Sequence, residues 1–182
     1  QRIDLRRISE RDIARELVER YQASPAAAEN AARSAQGSMG RALKLLREGG
    51  HAGIFPEMFV RFVRSAFMAK KKPAELNRLL EWADRMAALS REQQKQFLQY
   101  CCEVFRQGLM YNYGASALVY PQEFADGFNF ESFAGYVHGR NIADIYRELD
   151  RAQYHIERNA NSKLVFFSTA VNLTRYLHTK PI

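Results

Sequence analysis

The chain has 182 residues, 47% of them hydrophobic, and carries a formal net charge of +7. This length and composition are typical of one sizeable globular domain or two small ones. No apolar run approaches the roughly 20 residues that a helix needs to cross a bilayer, so the sequence excludes a transmembrane helix and we expect no membrane partner.

The first 50 residues predict three short helices. Ser9 is a good N-cap, Asp12 stands in for the glutamate of a capping box, and the first helix continues to about residue 21. Ser24 followed by Pro25 marks the start of an alanine-rich second helix, since proline is favoured in a first turn. A bundle this small is marginal alone, so we expect it to act as a lid on something larger.

The turn between the second and third helices is the most informative stretch of the chain. Gly37 can take a positive φ and end one helix, and Ser38 is a good N-cap for the next. The third helix is expected to reach about residue 48, and the paired glycines at 49–50 mark a domain boundary. Arg41 lies in the first turn, where free amides and a basic side chain suit an anion, although the residues alone favour an ordinary helix hairpin.

Six further helices are predicted after residue 51, each from a start signal and an apolar stripe. The stripe of the helix after Ser90 is wide enough for two neighbours. No segment shows the alternation of a strand. The sequence therefore predicts an all-α fold, a three-helix domain (residues 1–50) followed by a helical bundle (residues 51–182). The start signals are Pro56, Pro73, the capping box Ser90–Gln93, the aromatic stretch Tyr120–Phe133, Asn141 and the Asn159–Ser162 break.

Two surface features each have a structural and a functional interpretation. The phenylalanines of the Tyr120–Phe133 stretch can form a partner surface or attach a connecting loop and a short helix to the core, and we favour the second. Lys70-Lys71-Lys72 ends a helix, where lysines suit the helix dipole and can also contact phosphate. Residues 1–118 carry 20 Lys and Arg against 13 Asp and Glu, a modest excess that fits nucleic acid or an acidic partner, although we favour a merely solvated basic surface.

No residue set in the sequence predicts catalysis or a metal centre. The four histidines (His51, His138, His155 and His178) do not pair at helical spacing, whereas a zinc site needs about four convergent ligands. Cys101 and Cys102 are adjacent, so a mutual disulfide is not expected and a reducing, cytoplasmic compartment is indicated. There is no Gly-x-x-x-x-Gly-Lys phosphate loop and no Gly-x-Ser-x-Gly elbow. We therefore expect no catalytic residue, no metal and no cofactor.

Two pairs of carboxylates lie about one helical turn apart. We expect them to form ion pairs with neighbouring arginines rather than an acid–base dyad, because such spacing is usual on exposed helix faces. The carboxylate pairs are Asp144 with Glu148 and Glu16 with Glu19, and the arginines are Arg11, Arg15, Arg147 and Arg151.

The stretch Gly37–Leu43 reads Gly-Ser-Met-Gly-Arg-Ala-Leu and resembles the sensor-2 region of bacterial clamp-loader subunits. The usual motif there is Gly-Ser-apolar-Arg-Asp-Ala-Leu, on a helical lid of the AAA+ type over an ATP site. Arg158–Leu164 is similar to the start of the last collar helix in delta-prime members of the family. The resemblance covers nearly the whole chain, with a lid over residues 1–48 and a collar over about 53–180. Because the chain begins at Gln1 without a methionine, we expect an excised fragment.

The resemblance also implies a function. The arginine that touches nucleotide in the ATP-hydrolysing subunits aligns with Gly40, which implies a non-catalytic subunit of the delta-prime type without a nucleotide grip. In that family five subunits of DNA polymerase III assemble through their collars and load the sliding clamp on primed DNA during replication. The implied partners are the gamma/tau and delta subunits. The alternatives are the lid and collar of an ATP-hydrolysing gamma/tau-type subunit, and a helical DNA-binding module.

Overall fold

The computed structural model describes residues 7–47, 54–70, 72, 74–119, 124 and 127–181. These residues form helices and turns without a strand, which confirms the all-α prediction. Two compact units are present, the first up to Ile54 and the second from Phe55 onward among the described residues. The expected boundary at residues 49–50 lies outside the described residues. The helices are α1 (Glu10–Glu19), α2 (Pro25–Ala35), α3 (Met39–Arg47), α4 (Phe55–Ala69), α5 (Glu75–Ala87), α6 (Arg91–Asn112), α7 (Phe130–Ala134), α8 (Ile142–Glu157) and α9 (Ser162–Leu177).

In the first unit, α1, α2 and α3 begin where capping chemistry places them. Ser9 Oγ accepts from the backbone amide of Asp12 at 3.1 Å, and Ser24 caps α2. Ile13 and Leu17 of α1 are fully buried. They pack against alanines of α2 and α3, whose small side chains let the helices approach closely. The core of this unit is therefore small, as expected for a three-helix bundle.

The second unit is built around buried aromatic rings. Phe59 of α4 is fully buried, and its ring centroid lies 5.5 Å from that of Phe133. Trp82 of α5 is 4% exposed, although the apolar spacing of α5 had not singled it out. The apolar spacing of this helix in the sequence predicts a buried stripe that includes Leu76 and Leu80, but these two residues are 40% and 38% exposed. The predicted face of α5 was therefore wrong in part, because α5 turns its tryptophan toward α4 and α9.

The longest described helix, α6, starts with the predicted capping box, in which Ser90 and Gln93 bond each other's backbone amides. It packs on α4, α7 and α8, which confirms an element with more than one neighbour. The apolar pattern of this helix in the sequence includes Tyr113 and predicts that it is buried, but Tyr113 is 67% exposed, so that prediction was wrong.

The described phenylalanines of the 120–133 stretch lie against the core of the second unit. Phe133 is buried, and three others are partly buried and packed against that core. This confirms the structural interpretation for those residues. Residues 120–123, 125 and 126 lie outside the described part of the chain. The three partly buried phenylalanines are Phe124, Phe128 and Phe130.

Asn141 precedes α8, as predicted, but its side chain does not cap the helix. It is fully buried, and its Oδ1 accepts from the amide of His138 at 2.9 Å. Its Nδ2 donates to the carbonyls of Tyr136 at 2.7 Å and Tyr176 at 3.2 Å. The predicted position was right and the mechanism was wrong, since Asn141 joins two segments of chain. Asn161, by contrast, caps α9 through the amide three residues later, at 3.1 Å.

Candidate functional site

The α2–α3 turn is built as a helix end, a tight reversal and a new N-cap. Gln36 and Gly37 have φ angles of 53° and 79°, so both residues lie in the left-handed region. Ile8 donates its amide to the Gly37 carbonyl at 3.1 Å, which joins the turn to the residues before α1. Ser38 Oγ accepts from the amide of Arg41 at 3.3 Å and caps α3 as predicted.

Gly40 is exposed in the first turn of α3, and a Cβ placed on it would meet nothing within 4 Å. A longer side chain at this position would therefore extend freely into solvent. Next to it, the Arg41 guanidinium donates to Gln36 Oε1 at 3.1 Å, and this partner carries no charge. The first turn of α3 thus carries a basic side chain at Arg41, whereas Gly40 has no side chain that could contact a ligand.

Several carboxylates of the described residues form ion pairs with arginines of their own helix. In α8, Asp144 lies 2.7 Å from Arg147, and Glu148 lies 2.6 Å from Arg151, as predicted. Among the described residues, no group of three or more His, Cys, Asp and Glu side chains is placed to hold a metal ion. In α1 the pairs are Arg15 with Asp12 at 2.7 Å and Arg20 with Glu16 at 3.2 Å.

The two cysteines lie in surroundings that suppress their reactivity. Both are free thiols, and Cys101 is fully buried. Burial raises the pKa of Cys101 well above its ordinary value, and burial with the nearby Asp150 charge raises the pKa of Cys102 to about 11. Tyr146 donates its hydroxyl to the Cys102 carbonyl at 2.9 Å. Because a nucleophilic cysteine needs a lowered pKa, these two act as packing groups.

An exposed apolar stripe runs along α9 on the surface of the second unit. Leu164 is 65% exposed and Val171 is 40% exposed. They are seven residues apart and so lie on one face of the helix, with Ser168 between them. We call Leu164, Ser168 and Val171 the α9 stripe.

A groove of about 420 Å³ lies between α8 and α9 beside this stripe. The Glu148 side chain in it is 4% exposed and is held by Arg151. Thr169 Oγ1 is buried and has no hydrogen-bond partner among the described residues. The groove therefore combines an apolar rim with a polar floor. Its lining includes Glu148, Arg151, His155, Leu164, Ser168 and Thr169.

Three comparisons were made with known proteins, and none gives a match, whether to protein-family models, to curated proteins or to solved structures. Within the part of the chain that the structure describes, no helix has the length and apolar character required to cross a membrane. Support for a function therefore comes from the motif at residues 37–43 and from the surfaces of the second unit.

Proposed function

We propose that this chain is the lid and collar of a clamp-loader subunit of the delta-prime type, a non-catalytic part of DNA polymerase III in replication. In this proposal residues 1–50 are the lid and residues 51–182 are the collar. The collar holds the gamma/tau and delta subunits while the assembly places the sliding clamp on primed DNA.

The observation that carries the proposal is the geometry of the α2–α3 turn. The motif Gly37–Leu43 forms a left-handed helix end, a serine N-cap and a short amphipathic helix, which is compatible with the resemblance to a sensor-2 segment. In the resemblance, Gly40 aligns with the nucleotide-contacting arginine, and this glycine is exposed. A glycine has no side chain with which to bind a phosphate, so the turn supports a subunit that does not turn over ATP.

The α9 stripe and the adjacent groove support assembly as the role of the second unit. A second chain that covered Leu164 and Val171 would bury their exposed apolar area, which contributes about 25 cal/mol per Å². A neighbouring collar helix laid along α9 would cover both residues. It could also supply a donor or acceptor to the unpartnered hydroxyl of Thr169.

The alternative, an ATP-hydrolysing subunit, predicts a nucleotide-binding motif in the sequence that precedes Gln1. A Gly-x-x-x-x-Gly-Lys-Ser/Thr phosphate loop before Gln1 would favour that alternative. Gly40 argues against it, because the motor subunits need an arginine there. Sequencing the gene upstream of this chain distinguishes the two.

The proposal is tested by mixing the chain with the gamma/tau and delta subunits and measuring complex formation by sedimentation velocity. We expect the chain to enter a complex with them and to show no ATP hydrolysis alone. The double variant Leu164→Glu, Val171→Glu should weaken the complex about tenfold or more, because it places two charges in the apolar contact. Leu76→Glu, Leu80→Glu is the matched control on α5, with similar exposure, and should leave the complex intact. Failure of the unaltered chain to associate would contradict the proposal.

A further inference from the structure

Three segments meet at one end of the second unit, namely the C-terminus of α4, the segment between α7 and α8, and the C-terminus of α9. The ring centroid of Phe67 at the end of α4 lies 4.6 Å from that of Tyr136 and 4.7 Å from that of His178. The buried His138 places Nε2 at 3.0 Å from the carbonyl oxygen of Thr179, to which it donates. Aromatic and polar contacts therefore join all three segments.

Side chains at the C-terminal end of α6 also bond to the segment between α7 and α8. Asn112 Nδ2 donates to the carbonyl of Val137 at 3.0 Å, and Tyr113 Oη accepts from the amide of Gly139 at 3.1 Å. Buried Asn141 adds three further bonds to this backbone. A segment held by so many side-chain-to-backbone bonds presents its exposed residues in a fixed arrangement.

Four basic residues lie in these three segments or directly after them in the sequence, and we call them the basic end: Lys70, Lys72, Arg140 and Lys180. All four are exposed, and none has an ion-pair partner among the described residues. Lys70 lies one helical turn beyond Phe67, while Arg140 and Lys180 directly follow residues whose backbone makes the bonds described above. Residues adjacent to these basic positions, which are up to 110 residues apart in the chain, are thus in contact with one another.

Acidic side chains do not cancel this charge. Helix α9 contains no aspartate or glutamate. Four acidic residues of the second unit are each engaged by another group. Those pairs are Glu75 with Arg78, Asp144 with Arg147, Glu103 with Arg106, and Glu131 with the Tyr111 hydroxyl. The basic end therefore presents a local positive field that a polyanion can compensate.

Two tyrosine rings lie exposed among these charges. Tyr113 is 67% exposed and Tyr136 is 45% exposed, although both are anchored, Tyr113 through its hydroxyl and Tyr136 through Phe67. Fixed aromatic rings interleaved with basic side chains are the pattern by which proteins bind single-stranded nucleic acid, with phosphates on the cations and bases on the rings. A duplex hides the faces of its bases, and an acidic peptide has no bases to stack.

We propose that the basic end, together with Tyr113 and Tyr136, binds single-stranded nucleic acid. The basic residues contact phosphates and the two rings stack on unpaired bases. This site does not depend on the assignment of lid and collar. It also does not follow from the overall basic excess, because Arg140 and Lys180 belong to the 119–182 segment, which carries seven basic and seven acidic residues.

To test the charge contribution, the full chain is titrated into a fluorescein-labelled oligothymidine of about 20 nucleotides. Fluorescence anisotropy measures binding over a series of salt concentrations. We expect the oligothymidine to bind. The logarithm of the association constant should fall with the logarithm of the salt concentration by about 0.7 per phosphate contacted, hence with a slope near −3 for four contacts. Removing the four charges should weaken binding at least about tenfold at about 50 mM salt and flatten the slope. That variant is Lys70→Gln, Lys72→Gln, Arg140→Gln, Lys180→Gln.

A matched control removes four charges elsewhere in the second unit and should bind like the unaltered chain. An equal loss in the control would overturn the proposal, since net charge alone would then explain binding. Absence of binding by the unaltered chain at about 50 mM salt would overturn it as well. Equal affinity for polyglutamate would do the same in favour of an acidic protein partner. The control is Arg61→Gln, Arg85→Gln, Lys95→Gln, Lys163→Gln.

The stacking contribution is tested at the tyrosines. Tyr113→Leu and Tyr136→Leu should each weaken binding of the oligothymidine about fivefold or more without changing the salt slope, because stacking involves no counterion release. Tyr113→Phe keeps the ring and loses only the bond to Gly139, so it should bind nearly as well as the unaltered chain. Far-UV circular dichroism verifies that each variant is folded. Equally tight binding of a duplex of the same length would overturn the assignment to single strands.

Discussion

The indole Nε1 of Trp82 donates a hydrogen bond to the backbone carbonyl of Met58, 3.0 Å away on the neighbouring helix. The same indole stacks on Phe62, with centroids 4.6 Å apart and planes inclined by 13°. One side chain therefore makes both a polar and an apolar contact between α5 and α4. Since such a buried N–H needs a partner, the Met58 carbonyl fixes the depth and orientation of the ring.

Replacing Trp82 should separate these two contributions. Trp82→Phe keeps most of the apolar contact and loses the N–H, so we expect a loss of about 1 kcal/mol in the free energy of unfolding. Trp82→Ala also leaves a cavity and should cost about 3–5 kcal/mol. Urea unfolding followed by far-UV circular dichroism measures both. A Trp82→Phe variant as stable as the unaltered chain would show that the hydrogen bond contributes nothing.

Helix starts could be predicted from the sequence because capping is local. Ser9, Ser24, Ser90 and Asn161 each accept from a backbone amide three residues later, and that spacing is visible in the sequence. Asn141 looked like the same signal, but its bonds reach Tyr176, 35 residues away. Contacts of that range depend on how the helices pack, which local spacing does not reveal.

The buried faces and the candidate sites were less predictable for the same reason. The apolar spacing of α5 fits Leu76 and Leu80 as well as Leu79, and only the positions of α4 and α9 show that the first two are exposed. Gly40 could be singled out because its motif is contiguous. The basic end could not, since Lys70 and Arg140 are distant in sequence and only packing brings them together.

Asn141 should matter more for stability than the true cap Asn161. Asn141→Ala removes three hydrogen bonds and deprives the buried His138 amide of its partner, so we expect a cost of about 2–4 kcal/mol. Asn161→Ala removes one exposed capping bond and should cost about 1 kcal/mol. Equilibrium urea unfolding of the two variants, side by side, measures the difference. Equal costs would mean that the buried bonds of Asn141 contribute no more than a cap.

Gly40 should be replaceable, in contrast to Gly37. Nothing lies within 4 Å of a Cβ at Gly40, so Gly40→Ala should stabilise α3 by about 0.5 kcal/mol through helix propensity. A Cβ at Gly37 would lie 2.7 Å from Arg7 Cβ, and φ is +79°, so Gly37→Ala should destabilise the first unit by more than about 1 kcal/mol. Thermal unfolding by circular dichroism compares the two variants. A destabilised Gly40→Ala variant would indicate a specific role for that glycine in the native protein.

Alkaline pH should destabilise the second unit through Cys102 and Tyr146. Burial, with smaller effects from nearby charges, raises the pKa of Cys102 to about 11 and that of Tyr146 to about 12, whereas the ordinary values are 9.0 and 10.0. Folding therefore favours the neutral forms. Their contribution to stability is complete below about pH 9 and is lost as the pH rises through the folded-state pKa values, because the unfolded chain releases these protons first.

Urea unfolding between about pH 7 and pH 11 measures this loss. The fluorescence of Trp82, the single tryptophan of the chain, reports on the second unit. We expect the free energy of unfolding to be nearly constant up to about pH 8.5 and to fall steadily above it, and the fall should be shallower in Cys102→Ala because that variant has one fewer shifted group. Tyr154→Phe is the control, since this tyrosine is 50% exposed, and it should retain the full pH dependence. If Cys102→Ala falls as steeply as the unaltered chain, ionisation of the buried thiol does not drive the alkaline loss.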